Sequence, residues 1–413
     1  MESFEPIRVS STDLQEDRFS RLRLIGWWDQ EKLARTKVLV VGAGALGNEI
    51  VKNLALLGFR QMLVVDLDNI EHSNLSRSIL FRPADIGQSK AKAAAAAARG
   101  IFEDIVAHHL QANIIHEVGL GVFGWADIIL GGLDNGEARL WVNRSAWKMN
   151  RPWIDGAIEG INGVARVFLP GQPPCYECTL GEADWKILEK RMSCNLLTRE
   201  EMQGGKVPTT PTISSIIAGI QVQEAVKLAH GLPTLAGKAY RFEGLNHTSD
   251  LVEYTENQEC LSHETYGRVV SWPKPSSATT LDELFKFAQQ QLGSEELTLE
   301  FSREVIHKLV CPECGRQEEM FVPVGTISVV RGRCPQDDKM REVQTIHAYS
   351  GQGSIGARTV KSVGLPAFDV FAARSITDEL AILMKGDRSE VLGPLARCDE
   401  GTPFGMSDNH PSP

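Results

Sequence analysis

Three glycines, Gly42, Gly44 and Gly47, stand in the run V-G-A-G-A-L-G between an apolar β-branched stretch and a stretch of helical periodicity. Glycine in such a turn lets the backbone approach a phosphate closely, and the phosphate then rests on the amides at the helix N-terminus. Asp66 ends the next apolar run, where a carboxylate can bond ribose hydroxyls. This much suits NAD, FAD or ATP alike. The following residues choose among them. Asn74, Arg77 and Lys90 lie close together in D-L-D-N-I-E-H-S-N-L-S-R and D-I-G-Q-S-K. Hydride transfer has no use for two cations there. A triphosphate does, because Arg and Lys neutralise phosphate oxygens as charge shifts during group transfer. Asp134, closing A-D-I-I-L-G-G-L-D, can hold Mg²⁺ through one carboxylate, a mode that ion accepts.

Cysteines supply the second chemistry. Two CxxC pairs, Cys175 with Cys178 in P-P-C-Y-E-C and Cys311 with Cys314 in C-P-E-C-G, each form half of a tetrahedral zinc site. Cys334, in G-R-C-P-Q-D-D, follows the second pair at about the length of one hairpin, as in a zinc ribbon. That second knuckle lacks a final Cys. Asp337 has the right spacing for a fourth ligand, with His347 as the alternative. For Cys175 and Cys178 the missing half is either Cys260 with His263, in E-C-L-S-H, or Cys311 with Cys314. Either way protein fills every coordination position, so both sites read as structural. Cys194 and Cys398 have no metal partner by spacing.

Parallel strands and helices must position these groups. Val38–Val41 and Met62–Asp66 are short apolar runs of buried parallel-strand type, and 126–134 reads as a third, ending at Asp134. Between the first two, N-E-I-V-K-N-L-A-L-L has helical spacing, with Gly58 at its C-cap. The alanine run 89–99 predicts a helix. Alternation of this kind gives an α/β, doubly wound, Rossmann-like sheet. Gly-punctuated strands are expected over 155–170, and a long helix over 211–230, ended by Gly231. Composition shifts to Pro, Ser and Thr near 267–280. Beyond it T-L-D-E-L-F-K-F-A-Q-Q-Q-L predicts an amphipathic helix capped by Thr280.

The chain has 413 residues, more than one ordinary core, which predicts two domains. Its 53 acidic and 43 basic residues give a net charge of -10, a balance that disfavours a nucleic-acid partner. No apolar run approaches the ~20 residues of a membrane span. The first residues have no signal-peptide pattern, so a cytoplasmic protein is expected, with its cysteines reduced. The tail 402–413 reads as disordered.

Taken in order, the glycine motif, the D-x-D-x-x-x-x-S-N-L-x-R block with Asp66, Asp68, Asn74 and Arg77, Lys90 in D-I-G-x-x-K and a strand leading to Asp134 resemble the ThiF/MoeB and ubiquitin-activating superfamily. The likeness covers roughly residues 15–265, and the adenylation domain it implies spans 15–267. Ser78 departs from it, standing where the family usually has Gln. The resemblance implies a MgATP-dependent adenylation domain in which a partner's C-terminal carboxylate attacks the α-phosphate. It implies that Arg21, in R-F-S-R-L-R-L, reaches the ATP phosphates of the other subunit of a homodimer. It also implies Cys260 and His263 as the second half of the first zinc site. Within a segment about 181–210, Cys194 matches the cysteine that takes the activated carboxylate as a thioester, with Lys190 and Arg191 nearby to lower its pKa. Residues 275–390 resemble the smaller α+β, ubiquitin-fold-like domain that recruits conjugating enzymes, here carrying the zinc ribbon as an insertion. The expected partners are therefore a ubiquitin-like protein, a conjugating enzyme and a second copy of the chain. The competing expectation is an adenylyltransferase for a sulfur-carrier protein, with no thioester.

Overall fold

The computed structural model describes residues 16–192 and 208–399. A short helix, Gln30–Arg35 (α1), leads into Lys37–Val41 (β1), Ala45–Leu57 (α2) and Gln61–Val65 (β2). Then come Lys90–Ile101 (α3), Val106–Leu110 (β3), Leu120–Trp125 (α4), Ile128–Gly131 (β4) and Gly136–Lys148 (α5). Trp153–Glu159 (β5), Asn162–Phe168 (β6), Glu182–Met192 (α6), Pro211–His230 (α7), Lys238–Glu243 (β7) and Thr248–Glu253 (β8) complete the first unit.

Its eight strands run in the order β3-β2-β1-β4-β5-β6-β7-β8. The first five are parallel and the rest antiparallel. Strand order reverses between β1 and β4, and a doubly wound sheet opens its ligand crevice at that point, beyond the strands' carboxyl ends. The central strands are apolar runs because helices cover both their faces. On one face α2, α3 and α7 pack over Val38, Val40, Met62, Val64, Ile128 and Leu130. Helix α3 buries Ala91, Ala94, Ala95 and Ala98, one stripe of small side chains at helical spacing. Left-handed glycines end α2 and α7, Gly58 at φ 84° and Gly231 at φ 70°.

The second unit is a six-stranded sheet: Val269–Ser271 (β9), Thr298–Val310 (β10), Gln317–Pro323 (β11), Glu342–Tyr349 (β12), Val370–Arg374 (β13) and Glu379–Leu383 (β14). The order is β11-β10-β13-β14-β9, with β12 also on β10. Leu281–Leu292 (α8) packs across it through Leu281, Leu284, Phe285 and Ala288, and starts at a Thr280–Glu283 capping box. The thirteen-residue β10 has two roles. Thr298–Glu300 pairs with β13 in the main sheet, whereas Val305–Val310 lies between β11 and β12 and carries the cysteine ribbon.

The two units share a core. The second face of the first sheet packs Leu39, Val41, Leu63 and Val65 in one cluster with Phe368, Val370, Leu383, Leu392 and Leu395. Polar groups fix the junction: the Asp369 carboxylate accepts from the Leu120 amide at 2.9 Å, and Arg303 donates to the Ile115 and Val118 carbonyls at 2.7 and 2.9 Å. A Cβ on Gly121 would lie 2.3 Å from the Phe368 carbonyl oxygen, so only glycine permits this approach.

The strand expected over 126–134 stops at Gly131, because the chain turns at Gly132 to pass Gly47. Asp134 therefore stands on the loop beyond the strand. Among the described residues no helix is long and apolar enough to cross a membrane. The tail 402–413 lies outside the described residues.

Candidate active site and metal clusters

The glycine loop lies at the reversal of strand order. A Cβ on Gly42, whose φ is +93°, would lie 2.5 Å from the Gly132 carbonyl oxygen, and one on Gly47 would lie 1.9 Å from that of Gly42. These two glycines let the β1 turn, the start of α2 and the end of β4 touch. Gly44 is different: among the described residues, no atom beyond its own local backbone and chain neighbours lies within 4 Å of where its Cβ would be. It opens the N-terminus of the thirteen-residue α2, whose leading amides have no partner within the helix. An open, amide-lined cradle of this kind fits a phosphate.

Asp66 holds the loop from β2. Its carboxylate accepts from the Ala43 amide at 2.7 Å and from the Asp68 amide at 2.8 Å. Burial pushes this carboxyl above its ordinary value, while Lys90 pulls it down. Lys90, the first residue of α3, pairs with Asp68 at 2.7 Å, and its amide donates to the Asp68 carbonyl. The two aspartates and the lysine thus come together beside the glycine loop. Asn74 is buried and accepts from the Glu71 amide at 2.8 Å, closing a turn. Arg77, partly exposed, donates to the Ser73 carbonyl at 2.8 Å. Ser78 is buried, and its hydroxyl has no hydrogen-bond partner among the described residues.

Asn48 is a residue that sequence reasoning missed. It is fully buried on α2, donates to the Ala43 and Gly44 carbonyls at 2.7 and 3.0 Å, and accepts from the Leu80 amide at 2.9 Å. It ties the Arg77 segment to the glycine loop. A polar Asn on a helix otherwise facing the core was the available signal. Asn48→Ala would strand buried amide and carbonyl groups and is expected to cost about 2–4 kcal/mol. Urea unfolding checks this; an unchanged midpoint would assign the asparagine no such role.

Asp134 is exposed, next to Asn135, which caps α5 by accepting from the Ala138 amide at 2.8 Å. A second unforeseen group braces this loop. Arg139 bonds Asp155 at 3.1 Å and the carbonyls of Leu133 and Gly156, and Arg166 bonds the other Asp155 oxygen. Asp155 is fully buried, and two guanidiniums offset its desolvation.

Arg21 is exposed, ahead of the turn Leu22–Leu24. Its neighbour Phe19 packs on Gly58, at the end of α2 opposite the glycine loop, about 20 Å along the helix. Cys194 lies outside the described residues, as do the side chains of Lys190 and Arg191. Cys398 is exposed.

Among the described residues the metal candidates form two groups of four, each with all ligand atoms within 4.8 Å. In the first, Cys175 and Cys178 lie 3.8 Å apart, Cys175 and Cys260 3.5 Å, and Cys178 and His263 Nε2 3.4 Å. A tetrahedron with zinc–sulfur legs of about 2.3 Å has edges of about 3.8 Å, so the donors fit zinc. Cys311 and Cys314 are in the other group. The residues between the first pair act as wedges. Tyr176 packs on Trp153 and Phe168 below the Arg166 guanidinium, and Glu177 takes Arg144 in a two-point pair and the Ser262 hydroxyl. His263 stacks on Trp147 with ring centroids 4.5 Å apart. Burial pushes the Cys175 and Cys260 thiols up.

The second group gathers Cys311, Cys314, Cys334 and Asp337, with Cys314 and Cys334 3.6 Å apart and Cys311 3.2 Å from an Asp337 oxygen. The alternative His347 lies on β12, outside this group.

The Rossmann-like sheet brings the glycine cradle, Asp66, Asp68 and Lys90 together at its switch point, the class of arrangement that suits a bound phosphate, and comparison with known proteins gives the family. The model of the ThiF family matches residues 17–262, and the chain belongs to that family. It is 41% identical over 165 residues to the NEDD8-activating enzyme E1 catalytic subunit of Caenorhabditis elegans, covering 36% of this chain and 38% of that one. It is 31% identical over 261 residues to the SAMP-activating enzyme E1 of Haloferax volcanii, covering 60% of this chain and 88% of that one. The chain thus spans well under half of the first relative and most of the second. E. coli MccB, solved with AMPCPP and MccA, shares the fold with a TM-score of 0.52 at 22% identity, over 61% of this chain and 75% of that one.

Proposed function

We propose that this chain uses MgATP to activate the C-terminal carboxylate of a ubiquitin-like protein and then carries it as a thioester on Cys194. The observation that carries the reading is the meeting of the open Gly44 cradle, the Asp66–Asp68–Lys90 cluster and the Asn48-anchored Arg77 turn at one switch point. The names of the relatives, activating enzymes for NEDD8 and SAMP, support the substrate class.

ATP binds as substrate with its phosphates on the amides of α2 and its ribose toward Asp66. Asp134 would hold the Mg²⁺, which neutralises phosphate charge. A carboxylate oxygen of the partner attacks the α-phosphorus, the bond to the β-phosphate oxygen breaks, and pyrophosphate leaves. Lys90 leaves Asp68 for the phosphates, and Arg77 turns from the Ser73 carbonyl to join it; both stabilise charge as it moves to the leaving group. The nucleophile is already an anion, so no protein base is needed. The Cys194 thiolate next attacks the acyl carbon, forming the thioester and releasing AMP. A conjugating enzyme then receives the acyl group, with the second sheet as its docking unit.

Arg21 acts in the partner subunit's site of a homodimer; its position toward the far end of α2 supports a role in trans. Zinc at the Cys175–Cys178–Cys260–His263 cluster would serve as structural support for the knuckle that seats Tyr176 and Glu177. The cytoplasm is the compartment we assign, where such thiolates stay reduced. A sulfur-carrier adenylyltransferase is the second reading, and it shares every step up to the adenylate.

Candidate ubiquitin-like proteins test the activation step. The correct one is expected to drive exchange of labelled pyrophosphate into ATP, and removal of its last residue to abolish the exchange. Absence of exchange with every ubiquitin-like and sulfur-carrier protein of the same genome would refute the reading.

A further inference from the structure

The two cysteine groups differ in how they are built. In the ribbon the knuckles are equivalent turns. The Gly315 amide donates to the Cys311 carbonyl at 3.0 Å and the Cys311 amide to the Arg316 carbonyl at 2.9 Å. In the second knuckle the Asp338 amide donates to the Cys334 carbonyl at 2.9 Å and the Cys334 amide to the Lys339 carbonyl at 2.8 Å. Gly315 and Asp338 both take positive φ, 71° and 55°. Asp337 therefore occupies the place a fourth cysteine would hold, and its carboxylate faces Cys311.

Three observations set this group apart from the first. Its donor set replaces an imidazole with a carboxylate oxygen, a harder ligand and a poorer match to zinc among thiolates. Cys314 is exposed, whereas every donor of the first group is buried or half-buried. Val305, Phe321 and Tyr349 root the three ribbon strands in the large core of the second sheet, but the distal ribbon has only a small cluster of its own, with Ile306, Leu309 and Ile327 as buried members. So few buried side chains do not offset the entropy of ordering the distal ends of three strands, and small units of this kind draw their folding energy from metal. The first group instead sits against Trp147 and the Glu177–Arg144 pair of a large core.

We propose that Cys311, Cys314, Cys334 and Asp337 form a second zinc site whose metal exchanges with the surroundings, so that the ribbon folds and unfolds with zinc supply while the first site keeps its metal. This inference does not rest on the activity proposed above.

The test uses the full chain loaded with zinc and a colorimetric chelator. Two zinc ions per chain are expected, one leaving at least about tenfold faster than the other. As the fast ion leaves, amide exchange should rise over 308–318 and 327–344 and stay unchanged in β1, β2 and β4. Asp337→Cys should slow the fast release by about tenfold or more, and Asp337→Ala should speed it. A single bound zinc, two ions leaving together, or fast release untouched by both substitutions would overturn the proposal. Should Asp337→Cys misfold, the wild-type release phases and the exchange map still decide it.

Discussion

Co-expressed Asp134→Ala and Arg21→Ala chains are expected to recover about a quarter of wild-type ATP–pyrophosphate exchange, although each variant alone is nearly inactive. Asp134 stands exposed on the loop between β4 and α5, where it would hold the metal of MgATP. Its loss removes stabilisation from the charge that develops on departing pyrophosphate. A fall of about 10²–10³-fold is the expected scale for one such group. Arg21 should give a loss of the same order, but in the neighbouring subunit's site, because Phe19, two residues before it, packs on Gly58 at the end of α2 remote from the glycine loop. In a mixed dimer one site combines the intact Asp134 of the Arg21→Ala chain with the intact Arg21 of the other. Half of random dimers are mixed and half of their sites are whole, which gives the quarter. Activity no higher in the mixture than in either parent would place Arg21 in its own subunit's site, or remove the dimer altogether.

Cys194→Ala is expected to abolish the covalent product completely while leaving pyrophosphate exchange within about twofold, because the cysteine acts only after the adenylate has formed. The readout is a labelled ubiquitin-like protein that stays on the chain through acid and is released by dithiothreitol. Cys398 is exposed and supplies the control: Cys398→Ala should leave the adduct intact. A thioester that survives Cys194→Ala would move the nucleophile elsewhere. Exchange without any thioester in the wild type would leave the sulfur-carrier reading standing.

The parts of this molecule that announce themselves in sequence are those fixed by local physics. Strands β1 and β2 read as short β-branched runs, α3 as alanine, and the ends of α2, α7 and α8 as Gly58, Gly231 and Thr280, each of which holds the cap it was expected to hold. The cysteine spacings name both CxxC pairs and Cys334, but they leave the remaining ligands open: the family resemblance points to Cys260 and His263, and the structure brings Asp337 rather than His347 to the second group. Other features depend on distant residues. Strand β3 reads V-A-H-H-L, without the apolar continuity of its neighbours, since it lies at the sheet edge. The Arg139–Asp155–Arg166 cluster joins residues from α5, β5 and β6, and no periodicity signals it. Asn48 acts only because a loop more than thirty residues on returns to its carboxamide. The hydrophobic pattern continues through Leu133 and so predicts a strand running to Asp134, whereas the strand ends at Gly131, where Gly132 packs against Gly47.

Phe368, Val370, Leu383, Leu392 and Leu395 lie within the same apolar layer as Leu39, Val41, Leu63 and Val65. A chain cut before these residues would bare the part of the first sheet's face that α4 and α5 leave uncovered, and a patch of that kind invites aggregation. Swinging the second sheet outward like a door would open the same wound, so the shared apolar layer opposes any hinge between the two sheets.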